Sequence, residues 1–290
     1  GANRFGPRNG LKNTQKLLMR MGNPQNCFKS IHIAGTNGKG STAAMLTHIL
    51  MSQGYRVGMF TSPHLEDFTE RIQINLEQIA REDVVRITSI IKEHIDDMRV
   101  DGEGHPRGFE IITAIGFQYF AEQGVDYAVV ETGLGGRIDA TSALTPQLTI
   151  ITSISHDHMH ILGDNIESIA FEKAGIIKPN TPVVMYPQID EVSKVIKEVA
   201  SERGAPIYEV DDAKIDIVYS KFGKQVFDFK YGNYRLERIT IHLTGKHQIW
   251  NAATALMGVM ILRKAGVEIY EKAVLEGLAT TKWPGRLERL

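Results

Sequence analysis

Apolar residues follow two different periods along the chain, and their alternation predicts a mixed α/β fold. Short apolar runs predict buried strands at residues 31–34, 55–60, 71–75, 126–131, 147–152, 182–186 and 206–210. Apolar residues at helical spacing predict helices at residues 11–21, 42–50, 81–98, 109–123, 165–177, 189–203, 245–266 and 269–278. Because strands and helices alternate, the crossovers should be right-handed and the sheet mostly parallel.

The pattern changes between residues 214 and 243. Three runs there alternate apolar and polar residues and are separated by turn-forming stretches rich in glycine. This pattern is typical of an antiparallel meander. We therefore predict one P-loop-type α/β domain over residues 1–282, with helices flanking its sheet and this small antiparallel sheet appended. Residues 283–290 read as the start of a linker to a C-terminal domain that the sequence lacks.

A glycine-rich loop joins the first apolar run to a helix. Glycines let backbone N–H groups face a phosphate, a helix N-terminus favours anions, and a lysine adds a point charge. The spacing is not that of the usual P-loop, because Gly40 separates Lys39 from Ser41. The alternative is a solvent-exposed turn. The layout predicts an ATP-phosphate site, with the Ser41 hydroxyl available for Mg²⁺, formed by Thr36, Asn37, Gly38, Lys39, Gly40 and Ser41.

Three other segments follow predicted strands, at residues 62–64, 131–139 and 156–158. Ligands of open parallel sheets collect at the carboxyl ends of the strands, so these segments should converge on the glycine-rich loop. Glu131 ends an apolar strand, where it could hold Mg²⁺ or act as an ordinary loop or capping acid. Arg137 and Asp139 could clamp a substrate or pair with each other.

Two further features leave alternatives open. His156, His158 and His160 alternate along the chain, so they could bind zinc, supply one ligand to a phosphate-bound Mg²⁺, or face solvent. Lys173 lies on a predicted helix, where a lysine usually belongs to a solvated face.

Composition narrows the class of protein. The chain has 290 residues, of which 42% are hydrophobic and 23% charged, as is typical of globular proteins. Its net charge is −1, and basic residues form no stripe, so a nucleic-acid partner is not expected. The single cysteine, Cys27, is compatible with a reducing cytoplasm. No signal peptide or membrane-length apolar run is visible, so we expect a cytoplasmic protein without a membrane partner.

Together the glycine-rich loop and the segments that follow the predicted strands resemble the folylpolyglutamate synthase and dihydrofolate synthase family, within the Mur ligase superfamily. The string at residues 133–140, Gly-Leu-Gly-Gly-Arg-Ile-Asp-Ala, is specific to the folate branch of that superfamily. The order and rough spacing of the motifs fit over nearly the whole chain. The other matching segments are residues 34–41, 61–64, 131–132, 157–158, 172–176 and 283–286.

The resemblance implies roles for named residues. Residues 38–41 would bind ATP phosphates, and Lys39 would act in phosphoryl transfer. Lys173 would match the family lysine that is carbamylated by CO₂, and the modification would turn a cation into a metal-binding anion. The implied Mg²⁺ ligands are Ser41, Ser62, Glu131, His158 and Lys173. The implied ATP contacts include Asn251 and Arg286, and the implied pterin contacts are Phe109, Glu110, Arg137, Ile138, Asp139 and Ala140.

Three functions follow as hypotheses. The first is an ATP-dependent amide ligase that activates a folate or dihydropteroate carboxylate as an acyl phosphate and joins it to glutamate. The second is a nucleotide-binding module without turnover in a chain that lacks the C-terminal domain. The third is a P-loop phosphotransferase that needs no amine. We expect a monomer in each case.

Overall fold

A single large sheet forms the centre of the molecule. The structure, a computed structural model, describes residues 10–155 and 165–285. Its strands β1 to β8 are Lys29–Ala34, Val57–Phe60, Ile72–Ile74, Glu77–Gln78, Tyr127–Glu131, Leu148–Ile151, Val183–Met185 and Ile207–Glu209. Their order is β4-β3-β2-β5-β1-β6-β7-β8. In this order, the six strands β2, β5, β1, β6, β7 and β8 are all parallel to their neighbours among them. Strands β3 and β4 extend the β2 edge of the sheet in antiparallel pairing. The prediction of a mostly parallel sheet is therefore confirmed.

Helices cover both faces of this sheet. Helices α1 to α8 are Gly10–Arg20, Lys39–Ser52, Arg81–Val100, Gly108–Glu122, Ile166–Ala174, Asp190–Glu202, Lys246–Lys264 and Glu271–Thr280. The side chains of Ile31 and Ile33 on β1 belong to a core shared with α2, α7 and α8. Ala128 and Val130 on β5 belong to a second core, with α1, α3 and α4. A third core joins α5 and α6 to β6 and β7. Among the described residues, no helix is both long and apolar enough to cross a membrane.

The small antiparallel sheet is present where the alternating pattern predicted it. Strands β9 to β11 are Lys214–Lys221, Lys224–Tyr231 and Tyr234–Ile241, in the order β11-β10-β9. Its buried residues Phe227, Phe229 and Ile239 belong to the same apolar core as Ile31 and Ile33 of the large sheet. The meander is thus packed into the main core rather than attached at its surface.

Two local features differ from the sequence prediction. Strand β4 was not predicted, because it is short and both of its residues are exposed and polar. Helix α5 is shorter than the predicted 165–177 segment. Asn165 caps its N-terminus by accepting a hydrogen bond from the Ser168 amide at 2.8 Å. The helix ends at Ala174, and Gly175 is its C-cap residue.

Candidate active site

The glycine-rich loop lies between the central strand and the start of α2. Strand β1 ends at Ala34, and Gly38 precedes α2 with φ of 86°, in the left-handed region that favours glycine. No side chain caps the helix, and its first turn contains no acidic residue. The N-terminal amides and the positive end of the helix dipole are therefore available to an anion.

Neighbouring segments fix the conformation of this loop. The amides of Thr36 and Asn37 donate to the Ser153 carbonyl oxygen at 2.8 and 3.2 Å. The Thr36 hydroxyl also donates to the Ser155 carbonyl oxygen at 3.1 Å. Asn251 on α7 lies directly against Gly38, where a β-carbon would be 2.5 Å from its Oδ1. The loop is thus held from the β6 end on one side and from α7 on the other.

Lys39 and Glu131 meet at the carboxyl ends of β1 and β5. The Lys39 Nζ lies 3.5 Å from Glu131 Oε1, and the two side chains are only 15% and 6% exposed. Lys39 Nζ also donates to the carbonyl oxygens of Gly35 at 3.1 Å and Thr36 at 3.4 Å. A cation and a carboxylate thus converge at the loop of residues 35–41, named the phosphate loop after its predicted role, and Gly35, Gly40 and Ser41 in it are buried rather than exposed to solvent.

Ser62 and Glu131 line a common cleft beside the phosphate loop. The cleft has a volume of about 1150 Å³ and is also lined by Gly40 and Trp283. The Ser62 Oγ is buried and has no hydrogen-bond partner among the described residues. A buried polar atom without a partner is costly, and a ligand that binds it would remove that cost.

Lys173 is buried rather than solvated. Its side chain is 4% exposed, and its Nζ donates to the Gly35 carbonyl oxygen at 2.7 Å. The interpretation of Lys173 as part of a solvated helix face is therefore wrong. Helix α5 points this lysine at the same carbonyl oxygen that Lys39 contacts, so both amines border the phosphate loop.

The 133–141 loop, which follows β5, is organised around Asp139. Its Oδ2 accepts hydrogen bonds from the amides of Gly133 at 3.0 Å and Leu134 at 2.9 Å. Its Oδ1 accepts from the Thr141 amide at 3.0 Å and from the Thr141 hydroxyl at 2.5 Å. Burial raises the pKa of Asp139, and these hydrogen bonds oppose that effect. The carboxylate therefore holds its own loop together.

Arg137 does not pair with Asp139. Its guanidinium instead bonds Glu172 Oε1 on α5, with Nη2 at 2.8 Å and Nε at 3.1 Å. The expectation of an Arg137–Asp139 pair is thus wrong, because the four bonds of Asp139 turn its carboxylate into the loop. Arg137 is exposed, Ile138 is half-buried and Ala140 is buried.

Phe109, near the start of α4, lies beside the same loop. The Phe109 ring packs against Gly133 so closely that a methyl group there would have no room. The Glu110 carboxylate accepts a hydrogen bond from the Arg107 amide at 3.0 Å, and burial raises its pKa above the usual value. The Phe109 ring and Gly133 at the start of the loop are therefore neighbours.

Some predicted site residues lie outside the described residues. These are His158 with its neighbours His156 and His160, and Arg286. On α7, His247 is exposed, whereas Asn251 four residues further along is buried. In residues 10–155 and 165–285, no three His, Cys, Asp or Glu side chains gather as for a metal ion.

Sequence reasoning missed two contacts of the phosphate loop. Gln248 on α7 donates to the Ser41 hydroxyl at 3.2 Å, and accepts from Asn251 Nδ2 at 3.0 Å. Trp283 packs its indole against Gly40. The signal for Gln248 in the sequence is its spacing of three residues from Asn251, which puts both on one helix face. Trp283 begins the segment that the sequence predicts to be a linker.

Gly40→Ala tests the contact with Trp283. A β-carbon at Gly40 would lie 2.8 Å from Cζ2 and 2.9 Å from Nε1 of Trp283. Alanine favours a helix over glycine by about 1 kcal/mol, but overpacking costs about 1–3 kcal/mol, so displacement of the indole or of α2 should dominate. We expect calorimetry to show about tenfold weaker binding of a non-hydrolysable ATP analogue.

Two companion variants sharpen this test. Gly108→Ala is the matched control, since a β-carbon there meets nothing within 4 Å. Combining Gly40→Ala with Trp283→Leu should restore affinity. If affinity stays low in that double variant, the indole is not the cause of the loss.

Comparison with known proteins identifies a family whose members are similar to this chain in sequence. A family model described as the Mur ligase middle domain matches residues 107–259. The dihydrofolate synthase/folylpolyglutamate synthase of Bacillus subtilis (strain 168) is 42% identical over 292 residues, covering 99% of this chain and 68% of the relative.

Two solved structures are similar throughout the chain. A folylpolyglutamate synthase from Thermotoga maritima has a TM-score of 0.89 and 41% identity, covering 97% of this chain and 64% of its own. A folylpolyglutamate synthase complex with AMPPCP and folate has a TM-score of 0.90 and 30% identity, covering 100% and 71%. The chain therefore spans about two thirds of the length of these relatives.

Proposed function

Because the chain belongs to the folylpolyglutamate synthase and dihydrofolate synthase family of the Mur ligases, we propose that it acts as an ATP-dependent amide ligase. Its substrates would be ATP, L-glutamate and the carboxylic acid of a folate or a dihydropteroate. The observation that carries the proposal is the convergence of Lys39, Glu131 and Ser62 around the phosphate loop and its cleft. The solved complex of a folylpolyglutamate synthase with AMPPCP and folate supports the choice of ATP and a folate.

The chemistry needs two steps. A carboxylate oxygen attacks the γ-phosphorus, a new P–O bond forms, and the bond to ADP breaks. The amine of glutamate then attacks the carbonyl carbon of the acyl phosphate, phosphate leaves, and the amine loses a proton. Positioning and positive charge accelerate the first step, and Lys39 with the α2 N-terminus would supply both.

Magnesium fits the residues at this site. Ser41, Ser62 and Glu131 would hold it, and the unpartnered Ser62 hydroxyl and buried Glu131 carboxylate offer the oxygen atoms that Mg²⁺ prefers. Mg²⁺ commonly keeps waters and nucleotide phosphates as its remaining ligands, so a large protein cluster is not required. When bound, the ion would neutralise charge on the transferred phosphoryl group. His158 and a carbamylated Lys173 complete the proposed ligand set.

The remaining residues would bind either the nucleotide or the pterin. Gly38 and Gly40 would let the backbone approach the phosphates, and Asn251 would contact the nucleotide from α7. Phe109, Glu110 and the 133–141 loop would receive the pterin. We also propose that the protein works as a monomer in the cytoplasm, in keeping with its near-neutral charge and single cysteine.

Release of ADP tests the proposed function. We expect ADP to form only when ATP, a pterin acid and glutamate are all present, and to equal the amide product. Calorimetry that shows nucleotide binding without turnover would favour a binding module. A phosphorylated product formed without glutamate would favour a phosphotransferase.

A further inference from the structure

The central strand contains a buried histidine bonded to the 133–141 loop. His32 lies in β1 with 0% of its side chain exposed. Its Nε2 is 2.8 Å from the Thr141 hydroxyl oxygen, although the two residues are 109 positions apart. Thr141 belongs to the short 3₁₀ helix Ala140–Ala143, at the end of the loop.

The direction of this hydrogen bond follows from Asp139. The Thr141 hydroxyl has one proton, and it donates that proton to Asp139 Oδ1 at 2.5 Å. Its oxygen must therefore accept from His32, which makes Nε2–H the donor. The His32 Nδ1 is then the unprotonated nitrogen, and it is buried without a partner among the described residues. Burial lowers the pKa of His32 to about 3, so the ring stays neutral.

The same chain of bonds continues to the beginning of the loop. Asp139 Oδ2 accepts from the Gly133 and Leu134 amides, so His32 is linked through two side chains to both ends of the loop. Strand β1 also leads into the phosphate loop, which starts three residues after His32, at Gly35. Strand β1 is therefore connected to both the phosphate loop and the 133–141 loop.

We propose that His32 is a positioning residue, which sets the 133–141 loop, and with it the acid substrate, relative to the phosphate loop. The inference rests on the proposed function for its substrate. A second anchor keeps the loop attached without His32, because Lys178 Nζ donates to the Ser142 carbonyl oxygen at 2.6 Å. Loss of the His32 bond should therefore misplace the loop rather than unfold it.

Three variants test this role. His32→Leu removes the donor, and His32→Gln keeps an N–H donor of similar reach. Thr149→Val is the matched control, since Thr149 pairs with His32 in register on β6 and its buried hydroxyl has no partner among the described residues. We expect His32→Leu to raise KM for the acid about tenfold and KM for ATP less than about twofold. His32→Gln should restore most of the loss, and Thr149→Val should change neither constant.

Thr141→Val tests the same bond from its acceptor. Because it also removes the hydroxyl's bond to Asp139, its effect should be at least as large as that of His32→Leu, and the His32→Leu/Thr141→Val double variant should lose little more than Thr141→Val alone. Equal changes in both KM values, an unimpaired His32→Leu variant, or additive losses in the double variant would overturn the proposal. If His32→Leu does not fold, the comparison of Thr141→Val with Thr149→Val decides.

Amide exchange separates this inference from the proposed function. The amides of Gly133, Leu134 and Thr141 should exchange faster in His32→Leu than in Thr149→Val, whether or not a pterin acid is the substrate. If the wild-type protein turns over no pterin acid, the proposed function fails while this measurement still tests the positioning role. Equal exchange in the two variants would contradict that role.

Discussion

Lys39→Met is expected to lower kcat about 100- to 1000-fold, the usual cost of removing one electrostatic contact to the transition state. The ammonium lies at the end of the phosphate loop, 3.5 Å from Glu131, and is mostly buried. Methionine has a similar length, so the apolar stem can still pack while the charge is lost. The rate at which the amide product forms in a single turnover checks the prediction.

Controls separate charge from packing in this variant. Lys39→Arg keeps the charge and should retain more activity than Lys39→Met. Lys92→Met makes the same change on the exposed face of α3 and should be neutral. If Lys39→Met retains more than about a tenth of the wild-type rate, Lys39 is not a transition-state contact.

Glu131→Gln is expected to lower kcat/KM about 100-fold and to raise the Mg²⁺ concentration needed for half-maximal activity. The Glu131 side chain is 6% exposed, and the residue ends β5 and lines the same cleft as Ser62. An amide keeps the shape but loses the negative charge that attracts a divalent cation, and a metal contact contributes several kcal/mol. Activity measured against Mg²⁺ concentration checks both effects.

Loss of the ion pair with Lys39 could also lower the activity of Glu131→Gln, and this effect must be separated from loss of a metal ligand. If Glu131 only paired with Lys39, Glu131→Gln would leave the Mg²⁺ dependence unchanged, and that result would contradict the metal role. Glu93→Gln, on the exposed face of α3, is the matched control and should behave as wild type. Thermal unfolding of each variant shows whether the protein remains folded.

The sequence predicted those features that depend on short-range patterns. The phosphate loop was visible because its glycines, its lysine and the flanking strand and helix are consecutive, within residues 29–52. Ligands of open parallel sheets collect at the carboxyl ends of the strands, so Glu131 was expected near this loop, and the structure places it 3.5 Å from Lys39. The antiparallel meander was likewise visible as a change of period.

Long-range contacts could not be predicted in the same way. Gln248 and Ser41 are 207 positions apart, and a polar residue on a helix is ordinarily interpreted as surface. His32 sits in an apolar run, where nothing signals that its partner is Thr141. Lys173 shows the same limit: a lysine on a helix usually belongs to a solvated face, whereas tertiary packing of α5 buries its amine against Gly35. Asp139 was a candidate clamp for substrate, but its bonds are made within its own loop.

Transfer of an oxygen isotope from the acid to phosphate tests the proposed acyl-phosphate mechanism most directly. A pterin acid labelled with ¹⁸O in its carboxylate is incubated with ATP, Mg²⁺, glutamate and the enzyme, and the released phosphate is analysed by mass. If the carboxylate attacks the γ-phosphorus, one ¹⁸O atom should appear in each phosphate molecule. Amide product accompanied by unlabelled phosphate would contradict the acyl-phosphate account.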